Sequence, residues 1–515
     1  MSFNLSNYTY LKRFYGRCLP TACILAIFAS TALLLSWKMN MWEDEGYTII
    51  STNKGIIHAA SNAIAFENQP PLYFMTIAAW RKINNSLFWM RVFSLLCVMG
   101  SAWIFYGFTK KNSSVSPLLF LLLYCLNPLI LWAATEARVY GFNLFFASAF
   151  IWSSYELFVK KKHSAFPTAI FFIASILGIY THYFLSILII SLFVWVCASG
   201  VWKDIRRLFY HLAVIILAGF PVLIIAFRQL GQSPASTRHP VGIIPCAIDI
   251  GQIIVNDFIP VAEFHAIEFK VFKILVLITC VTILFFYRKH LALDRFRAPL
   301  ARRLALDVCL GTLLFCLIEL VLGAYFIFQR HLIIFIPELL LLFLIMAGSV
   351  PNGKVRSSVY IVIGVFLLAG GINRFHSFKK PGDWVNVALY IKSQARPDEP
   401  IFIYNCGQEI PFRYHFNGVN AIVPLPQEET YDRFDVSKFQ LKDSSRLSAI
   451  VNSRVGPGQT CWFIVPSPEE YNGIHLNTPE VKKFLDQRFE TLDFKEFYRT
   501  RVYHRKNQIS ETMIH

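Results

Sequence analysis

Charged residues are scarce in this 515-residue chain and make up 16% of it, against about 25% in an ordinary soluble domain. Apolar residues take their place, at 55% of all positions, and the mean hydropathy is +0.47. This balance excludes a disordered chain, which would also lack the 48 Phe and 22 Tyr present here. The composition therefore indicates a polytopic α-helical membrane protein.

Acidic residues are rarest in the first 374 positions, which hold 15 Asp and Glu against 31 Lys and Arg. Residues 375–515 are nearly balanced, with 17 acids and 18 bases. The excess of positive charge, +17 for the whole chain, thus lies almost entirely in the apolar part. This distribution is typical of a membrane-topology signal, and it disfavours a nucleic-acid partner.

Several familiar signatures are missing. The sequence shows no internal repeat, no zinc-ligand spacing, no phosphate-binding glycine loop and no nucleophile elbow. Nine of the eleven cysteines lie in or beside the apolar part, where cysteine usually acts as a small hydrophobe. The other two, Cys406 and Cys461, could form a disulfide in an oxidising cell envelope. Two separate buried thiols are the favoured interpretation.

Long apolar runs fill the first 374 residues. A helix needs about 20 apolar residues to cross a membrane, and eleven segments, with an error of about two, approach this length. They are 19–37, 90–108, 115–134, 140–158, 166–180, 183–201, 208–227, 271–287, 304–326, 332–348 and 358–372. The shorter stretch 70–83 opens on two prolines and closes on Arg81 and Lys82, which predicts an interfacial helix. The first segment is long for a signal peptide, so we expect a retained helix.

Basic residues divide the loops into two sets. One set carries 19 Lys and Arg against two clear acids, Asp204 and Asp294, and this bias over short loops marks the cytoplasmic side. The N-terminus is therefore predicted inside. Because the number of spans is odd, the C-terminal residues are predicted outside. We expect an integral protein of the plasma (inner) membrane.

Two domains follow from this topology. Residues 1–374 are predicted to form the transmembrane domain, and residues 375–515 a small extracytoplasmic domain. In the second, 401–404 and 462–465 are typical of buried strands, and 383–395 is typical of a helix. These elements predict an α/β fold.

Reactive side chains gather in the other set of loops, which should all reach the opposite face of the membrane. The candidates are Glu43, Asp44 and Glu45 in the long loop 39–89, then Gln69, Glu136, Arg138, Tyr140, His182, Arg330 and His331. Singly, an acidic loop is often only solvated charge, an arginine at a helix end often snorkels to the interface, and a lone histidine is usually structural. Their convergence on one face is the main indication of function.

Acids facing several cations beside apolar surface suit transfer from a lipid-linked phosphate. Arginine offers a phosphate charge and two parallel donors. A carboxylate opposite can accept the proton of an attacking hydroxyl or amine. The lipid phosphate leaves as a stable anion, so the site needs cations more than a general acid.

These motifs, in this order, resemble the type C membrane glycosyltransferases, in the branch with protein O-mannosyltransferases and bacterial aminoarabinose (lipid A) transferases. The matching pieces, over most of residues 20–420, are Asp44-Glu45, Gln69-Pro70-Pro71-Leu72-Tyr73, Arg91, Asn127-Pro128, Glu136 to Tyr140, Arg330 with Pro337 and, more loosely, Asp383 to Ile391. The resemblance implies that Asp44 occupies the catalytic acidic position with Glu45 beside it, and that Arg138 and Arg330 hold the donor phosphate. Asp44 and Glu45 are thus the predicted catalytic residues, and His182 and His331 are predicted to bind the donor phosphate together with the two arginines. Many members have His at the position of Gln69 and Tyr at that of His331, and Glu43 is an additional acid.

The prediction is an inverting hexosyl- or pentosyltransferase of the cell envelope. It would move a sugar from a polyprenyl-phosphate donor to a lipid, glycan or protein acceptor on the extracytoplasmic face. No cofactor or metal is expected, although Glu43, Asp44 and Glu45 have the oxygen ligands that a divalent cation prefers.

Three alternatives stay open: a secondary transporter, a catalytically inactive binding or assembly protein, and an oligosaccharide polymerase or ligase. A transporter would place ionisable sites near the membrane midplane and often shows inverted repeats. Glu319 and Glu338 do fall within predicted spans, where an ionisable side chain is costly. Neither has an evident partner in the sequence, and both are left without a role.

Overall fold

The computed structural model describes residues 5–230, 298–322 and 329–508, except 436–437, 440, 442–443, 468–469, 472–473 and 476–477. In this part of the chain the helices up to residue 375 are α1 (Leu5–Lys38), α2 (Glu43–Thr52), α3 (Ile56–Ala65), α4 (Leu72–Trp80), α5 (Leu87–Asn112), α6 (Pro117–Leu126), α7 (Pro128–Ala134), α8 (Tyr140–Ser154), α9 (Ala165–Thr181), α10 (Leu185–Ala198), α11 (Trp202–Leu230), α12 (Pro299–Leu322), α13 (Ile336–Gly348) and α14 (Gly353–Phe375). A π-helical turn, Tyr155–Val159, extends α8, and a 3-10 segment, Gln329–Phe335, precedes α13.

Seven of these described helices are long and apolar enough to cross a membrane, counting α8 and α13 with their extensions, and the bent pair α6–α7 makes eight. The helices α9 and α10 are shorter, with 17 and 14 residues, and match two further predicted spans. The predicted span 271–287 lies outside the described residues. The polytopic helical fold is therefore confirmed.

The bend between α6 and α7 has a local cause. Asn127 caps α7, because its Oδ1 accepts hydrogen bonds from the backbone N–H groups of Leu129 and Ile130. Pro128 occupies the first turn of α7, where its missing N–H costs nothing. The two helices consequently meet at 70°. The short α7 then leads into the α7–α8 loop, residues 135–139.

Three short helices, α2, α3 and α4, form most of the connection between α1 and α5. The helix predicted within 70–83 is present as α4, and its nine residues are too few to cross a membrane. An interfacial location for it stays a prediction.

The C-terminal part is an α/β domain with a five-stranded sheet in the order β2-β1-β3-β7-β6. Its strands are β1 (Ile401–Tyr404), β2 (Ile422–Leu425), β3 (Thr460–Pro466), β6 (Phe489–Phe497) and β7 (Thr500–Asn507), and β4 (Glu470–Tyr471) pairs separately with β5 (Ile474–His475). Its helices are α15 (Trp384–Gln394), α16 (Glu409–His415), α17 (Ser444–Asn452) and α18 (Thr478–Arg488). β1 runs parallel to β2 and β3, whereas β7 is antiparallel to β3 and β6.

Both predicted buried strands and the predicted helix are thus confirmed in this sheet domain. β1 is fully buried, and β3 is buried over all but its first residue. The thiols of Cys406 and Cys461 are buried and separate, as the favoured interpretation expects. The domain boundary near residue 375 stays a prediction.

The C-terminal domain packs directly on the start of the first long loop. The backbone N–H of Met41 donates to His415 Nε2 at 3.0 Å. Gly46 in α2 approaches Ile410 so closely that a side chain at position 46 would collide with it. The beginning of α2 is therefore held from the side of α16.

A buried ionic group lies among the apolar helices α10, α12 and α13. Arg303 Nη1 is 2.6 Å from Asp307 Oδ1 and 3.2 Å from the hydroxyl of Ser191. Glu338 on α13 interacts with Asp307. Glu338, for which the sequence offered no partner, therefore belongs to a buried group that joins α10, α12 and α13.

Candidate active site

The three consecutive acids occupy the first turn of α2, where negative charge is stabilised by the helix dipole. Successive residues of a helix point about 100° apart, so the three side chains diverge. Glu43 accepts a hydrogen bond from the hydroxyl of Tyr47 and lies against Gly407 of the C-terminal domain. Asp44 and Glu45 enter two different groups of charged residues. In this arrangement the three acids do not converge on a single point.

Asp44, Glu67, Arg138 and Arg330 form the first group, called here the Asp44 cluster. Asp44 Oδ2 is 3.3 Å from Arg330 Nη1 and 4.0 Å from Arg138 Nε. Arg138 also donates from Nη1 to the backbone oxygen of Asp44 at 3.1 Å. The Asp44 side chain keeps 12% of its surface exposed. The cluster therefore places one largely buried carboxylate, which keeps a small exposed surface, beside two guanidinium groups.

Glu67 is a member that the sequence did not single out. Its Oε2 is 2.8 Å from Arg138 Nη1, and its Oε1 accepts a hydrogen bond from Ser51 at 3.0 Å. Thr48 accepts another bond from Arg138 at 3.0 Å. Both acceptors fix one end of the guanidinium, while Arg138 Nε is buried and makes no hydrogen bond within the described residues. The only sequence signal for Glu67 is its position two residues before Gln69.

Arg330 approaches the cluster from the segment before α13. Its guanidinium carbon lies 6.0 Å from the ring centre of Tyr140, within range of a cation–π contact. The next residue, His331, has its ring 6.0 Å from that of His182. Burial, together with the charges of Arg138 and Arg330, lowers the pKa of His182 to about 4. The structure thus gathers both predicted arginines and both predicted histidines in one region.

Glu45, Arg91, Glu136 and Lys380 form the second group, called here the Glu45 network. Arg91 donates to Glu45 from Nε at 2.8 Å and from Nη2 at 2.6 Å, which is the strong two-bond geometry. Glu45 Oε1 also lies 3.0 Å from Lys380 Nζ and accepts from the N–H of Ala137. Burial alone would raise the pKa of Glu45, but the charges of Arg91 and Lys380 outweigh it and lower the pKa to about 2.

Arg91 and Glu45 are both almost fully buried. Besides its two bonds to Glu45, Arg91 donates to three backbone oxygens at the end of α1 and just after it, those of Ser36, Met39 and Asn40, at 2.8–3.0 Å. Arg91 therefore ties α5 to the segment that enters α2. The sequence marked Arg91 only as a motif position, with no partner.

Glu136 joins the network from the α7–α8 loop. It accepts a hydrogen bond from Trp42 Nε1 at 2.6 Å, and its Oε1 is 3.0 Å from Lys380 Nζ. Burial raises the pKa of Glu136 to about 7, although Lys380 and Arg91 act in the opposite direction.

The remaining predicted candidates are Glu43 and Gln69. Glu43 turns toward the C-terminal domain, as described. The side-chain oxygen of Gln69 is buried and has no hydrogen-bond partner in the described residues. The described ranges also contain no group of three His, Cys, Asp or Glu side chains that could hold a metal ion. The expectation of a metal-independent reaction stays a prediction.

Comparison with solved structures identifies the fold. The chain resembles ArnT from Cupriavidus metallidurans in its apo state, with a TM-score of 0.55 and 11% identity, over 94% of this chain and 98% of that one. ArnT bound to undecaprenyl phosphate is similar with a TM-score of 0.53 and 11% identity, over 93% and 97% of the two chains. No family model and no curated protein matches the sequence.

The chain therefore has the fold of the type C membrane glycosyltransferases. More particularly, the fold is that of the aminoarabinose lipid A transferase ArnT, over nearly the whole length of both chains. The resemblance seen in the sequence motifs is confirmed at the level of the fold.

Proposed function

We propose that this protein is an inverting glycosyltransferase that moves a sugar from a polyprenyl-phosphate carrier to a lipid, glycan or protein acceptor. The Asp44 cluster is the observation that carries the proposal. It offers a carboxylate with a small exposed surface next to two guanidinium groups at 3.3 and 4.0 Å. ArnT has been crystallised with undecaprenyl phosphate, and the shared fold supports a lipid-linked donor.

Arg138 and Arg330 hold the donor phosphate in this proposal. Arg138 has one end fixed by Glu67 and Thr48, whereas its Nε lacks a hydrogen bond in the described residues. That N–H can donate to a phosphate oxygen without breaking an existing bond. His182 is neutral at pH 7 because its pKa is lowered, so it can offer one more N–H without adding charge. His331 lies beside it, and Tyr140 supports Arg330.

Asp44 is the general base. When the phosphate occupies the two arginines, the carboxylate of Asp44 is freed to face the acceptor. The acceptor hydroxyl or amine attacks C1 of the sugar from the side opposite the phosphate, and its proton passes to Asp44. The bond between C1 and the phosphate oxygen breaks with both electrons on that oxygen, where the arginines stabilise the charge. The configuration at C1 is inverted.

Glu45 and Glu136 are proposed as positioning residues. Glu45 is fully buried and already bound by Arg91, Lys380 and a backbone N–H, so it has no path to an acceptor proton. Glu43 and Gln69 are assigned no step of the reaction.

The reaction is proposed for the extracytoplasmic face of the plasma membrane, where polyprenyl-phosphate sugars rather than nucleotide sugars are available. The basic loops that predict the cytoplasmic side support this placement. The structures of similar fold are those of a transferase. They lend no support to the transporter alternative.

Sugar transfer by the purified protein tests the proposal. The protein is incubated with radiolabelled polyprenyl-phosphate sugars and envelope lipid, and labelled acceptor is measured. Asp44→Asn should lower turnover by about 10²–10⁴-fold, the usual contribution of a positioned base, with donor binding retained. Glu43→Gln, on the same helical turn but outside the cluster, is the matched control.

Two results would contradict the proposal. One is flux of the substrate into vesicles without transfer of label, which would indicate a transporter. The other is near-normal turnover in a well-folded Asp44→Asn protein, which would remove Asp44 from the role of base.

A further inference from the structure

Lys380 lies in the segment that joins α14 to the C-terminal domain, yet its side chain enters the centre of the Glu45 network. Its ammonium group is 3.0 Å from Glu45, 3.0 Å from Glu136 and 3.1 Å from the backbone oxygen of Thr135. Only 5% of the side chain is exposed. The backbone of Lys380 is fixed too, since its N–H donates to Asn40 Oδ1 at 2.7 Å. A buried ammonium is costly unless it is paired, and here two carboxylates pair with it.

The charges of the network balance only when Lys380 is present. Glu45 and Glu136 are the acids, and Arg91 and Lys380 are the bases. Without Lys380, Glu45 keeps its two bonds from Arg91. Glu136 would keep only the neutral Trp42 donor. The uncompensated carboxylate would therefore be Glu136.

Glu136 is connected through neighbouring residues to the chain segments that carry Asp44 and Arg138. On one side it binds the indole of Trp42, which directly precedes α2 and lies two residues before Asp44. On the other side it belongs to the same short loop as Arg138, two residues away. Its own backbone oxygen is held by the hydroxyl of Ser94 at 2.5 Å. The Glu136 side chain thus links the segment before Asp44 to the loop that carries Arg138.

We propose that Lys380 is a positioning residue for the transfer reaction, which anchors the Glu136 carboxylate and through it sets the placement of Asp44 and Arg138. This inference rests on the proposed function. It assigns a role in the reaction to the segment leading into the C-terminal domain, which itself holds Met41 through His415.

Lys380→Met removes the charge and keeps a similar length. Lys379→Met is the matched control, because Lys379 is partly exposed and pairs with Asp383 instead. We expect Lys380→Met to lower kcat by about tenfold or more, with a smaller change in donor affinity, and Lys379→Met to remain near the parent rate. Lys380→Arg, which keeps the charge, should retain more activity than Lys380→Met.

The pH profile separates this role from a merely structural one. The charged groups facing Glu136 are Lys380, Arg91 and Glu45. Burial already raises the pKa of Glu136 to about 7, so activity that needs its carboxylate should fall as the pH drops through this value. Loss of Lys380 raises the pKa further and should move this acid limb to higher pH. When position 136 is already Gln, removing Lys380 should no longer shift the acid limb of the pH profile.

The double variant Lys380→Met with Glu136→Gln gives the sharpest test, because Lys380 can act through Glu136 only when the Glu136 carboxylate is present. In the Glu136→Gln background the loss of Lys380 should lower kcat little further, so the double variant should match Glu136→Gln alone. Rates that combine additively, with no coupling between positions 136 and 380, would overturn the inference. The double variant and Lys380→Arg keep the test decisive if Lys380→Met alone does not fold.

Hydrogen exchange of the peptide covering residues 40–48 reports, independently of activity, on how firmly the start of α2 with Asp44 is held in place. Lys380→Met should accelerate exchange there in the parent background, and it should cause little further acceleration in the Glu136→Gln background. If exchange behaves so while the parent protein transfers no sugar, the proposed function fails and the positioning contact stands. If the parent protein transfers sugar but Lys380→Met matches Lys379→Met in rate, pH profile and exchange, the inference fails and the function stands.

Discussion

Glu45→Gln should damage the stability of the protein, whereas Asp44→Asn should damage its chemistry, although the two acids are adjacent in the chain. Glu45 is fully buried and faces Arg91 at 2.6 and 2.8 Å and Lys380 at 3.0 Å. Glutamine keeps the size of the side chain but removes the negative charge. Its amide N–H groups would also point at donors of Arg91 in at least one orientation.

The loss in the free energy of unfolding caused by Glu45→Gln depends on which bonds its partners keep after the substitution. Removing one partner of a buried ion pair usually costs about 3–5 kcal/mol. Arg91 would keep its three backbone oxygens, and Lys380 would keep Glu136. We therefore expect a value near the lower end, about 3 kcal/mol. The Asp44 side chain keeps 12% of its surface exposed, against none for Glu45, and its contact with Arg330 is longer, at 3.3 Å, so Asp44→Asn should cost less.

The assay heats each purified variant in the same detergent and measures the remaining monodisperse protein by size-exclusion chromatography. The temperature at which half of the protein remains monodisperse should be lower for Glu45→Gln than for both the parent and Asp44→Asn. Its remaining folded fraction should keep more turnover than Asp44→Asn does. A Glu45→Gln protein that is as stable as the parent and as inactive as Asp44→Asn would refute the reasoning and make Glu45 a reacting group.

Three further predictions test the phosphate clamp, the topology and the thiols. Arg138→Ala should weaken donor binding as well as turnover, and Arg138→Lys should restore only part of both, because a point charge lacks the two-bond fork; equal activity of the Lys and parent proteins would contradict this. A phosphatase reporter fused after residue 375 should be active outside and one within 288–303 silent, and the reverse pattern would place the site in the cytoplasm. A reducing agent should leave the thermal midpoint unchanged, since Cys406 and Cys461 are separate thiols.

The sequence predicts the helical part of the fold well, because crossing a membrane imposes a length and an apolar composition that can be read directly. The break at Asn127 and Pro128 is not predicted, because the apolar run 115–134 indicates one continuous span, which the structure divides into α6 and α7. The strands β1 and β3 could be predicted because both are short, apolar and bounded by turns. The order of strands in the sheet could not, since it depends on pairing between distant segments.

The candidate site was only partly predictable. Asp44 and Glu45 are adjacent acids, and only the start of α2 decides that one faces Arg330 and the other Arg91. Glu67 follows no charge pattern, because its partner Arg138 lies 71 positions further along the chain. Such pairings depend on how the chain folds back on itself. Local composition and spacing do not contain that information.

The Glu45 network also has an order of assembly during synthesis. Glu45 and Arg91 belong to the first hundred residues and can pair once α1 and α5 are inserted. Lys380 is made roughly 300 residues later, which at 5–20 residues per second is about 15–60 s. Until then Glu136 has no ammonium partner and can remain protonated. The candidate site is therefore completed only when the ribosome has passed the last described membrane helix, α14, so a chain truncated before that point would carry Asp44, Arg138 and Arg330 without the contact proposed to align them.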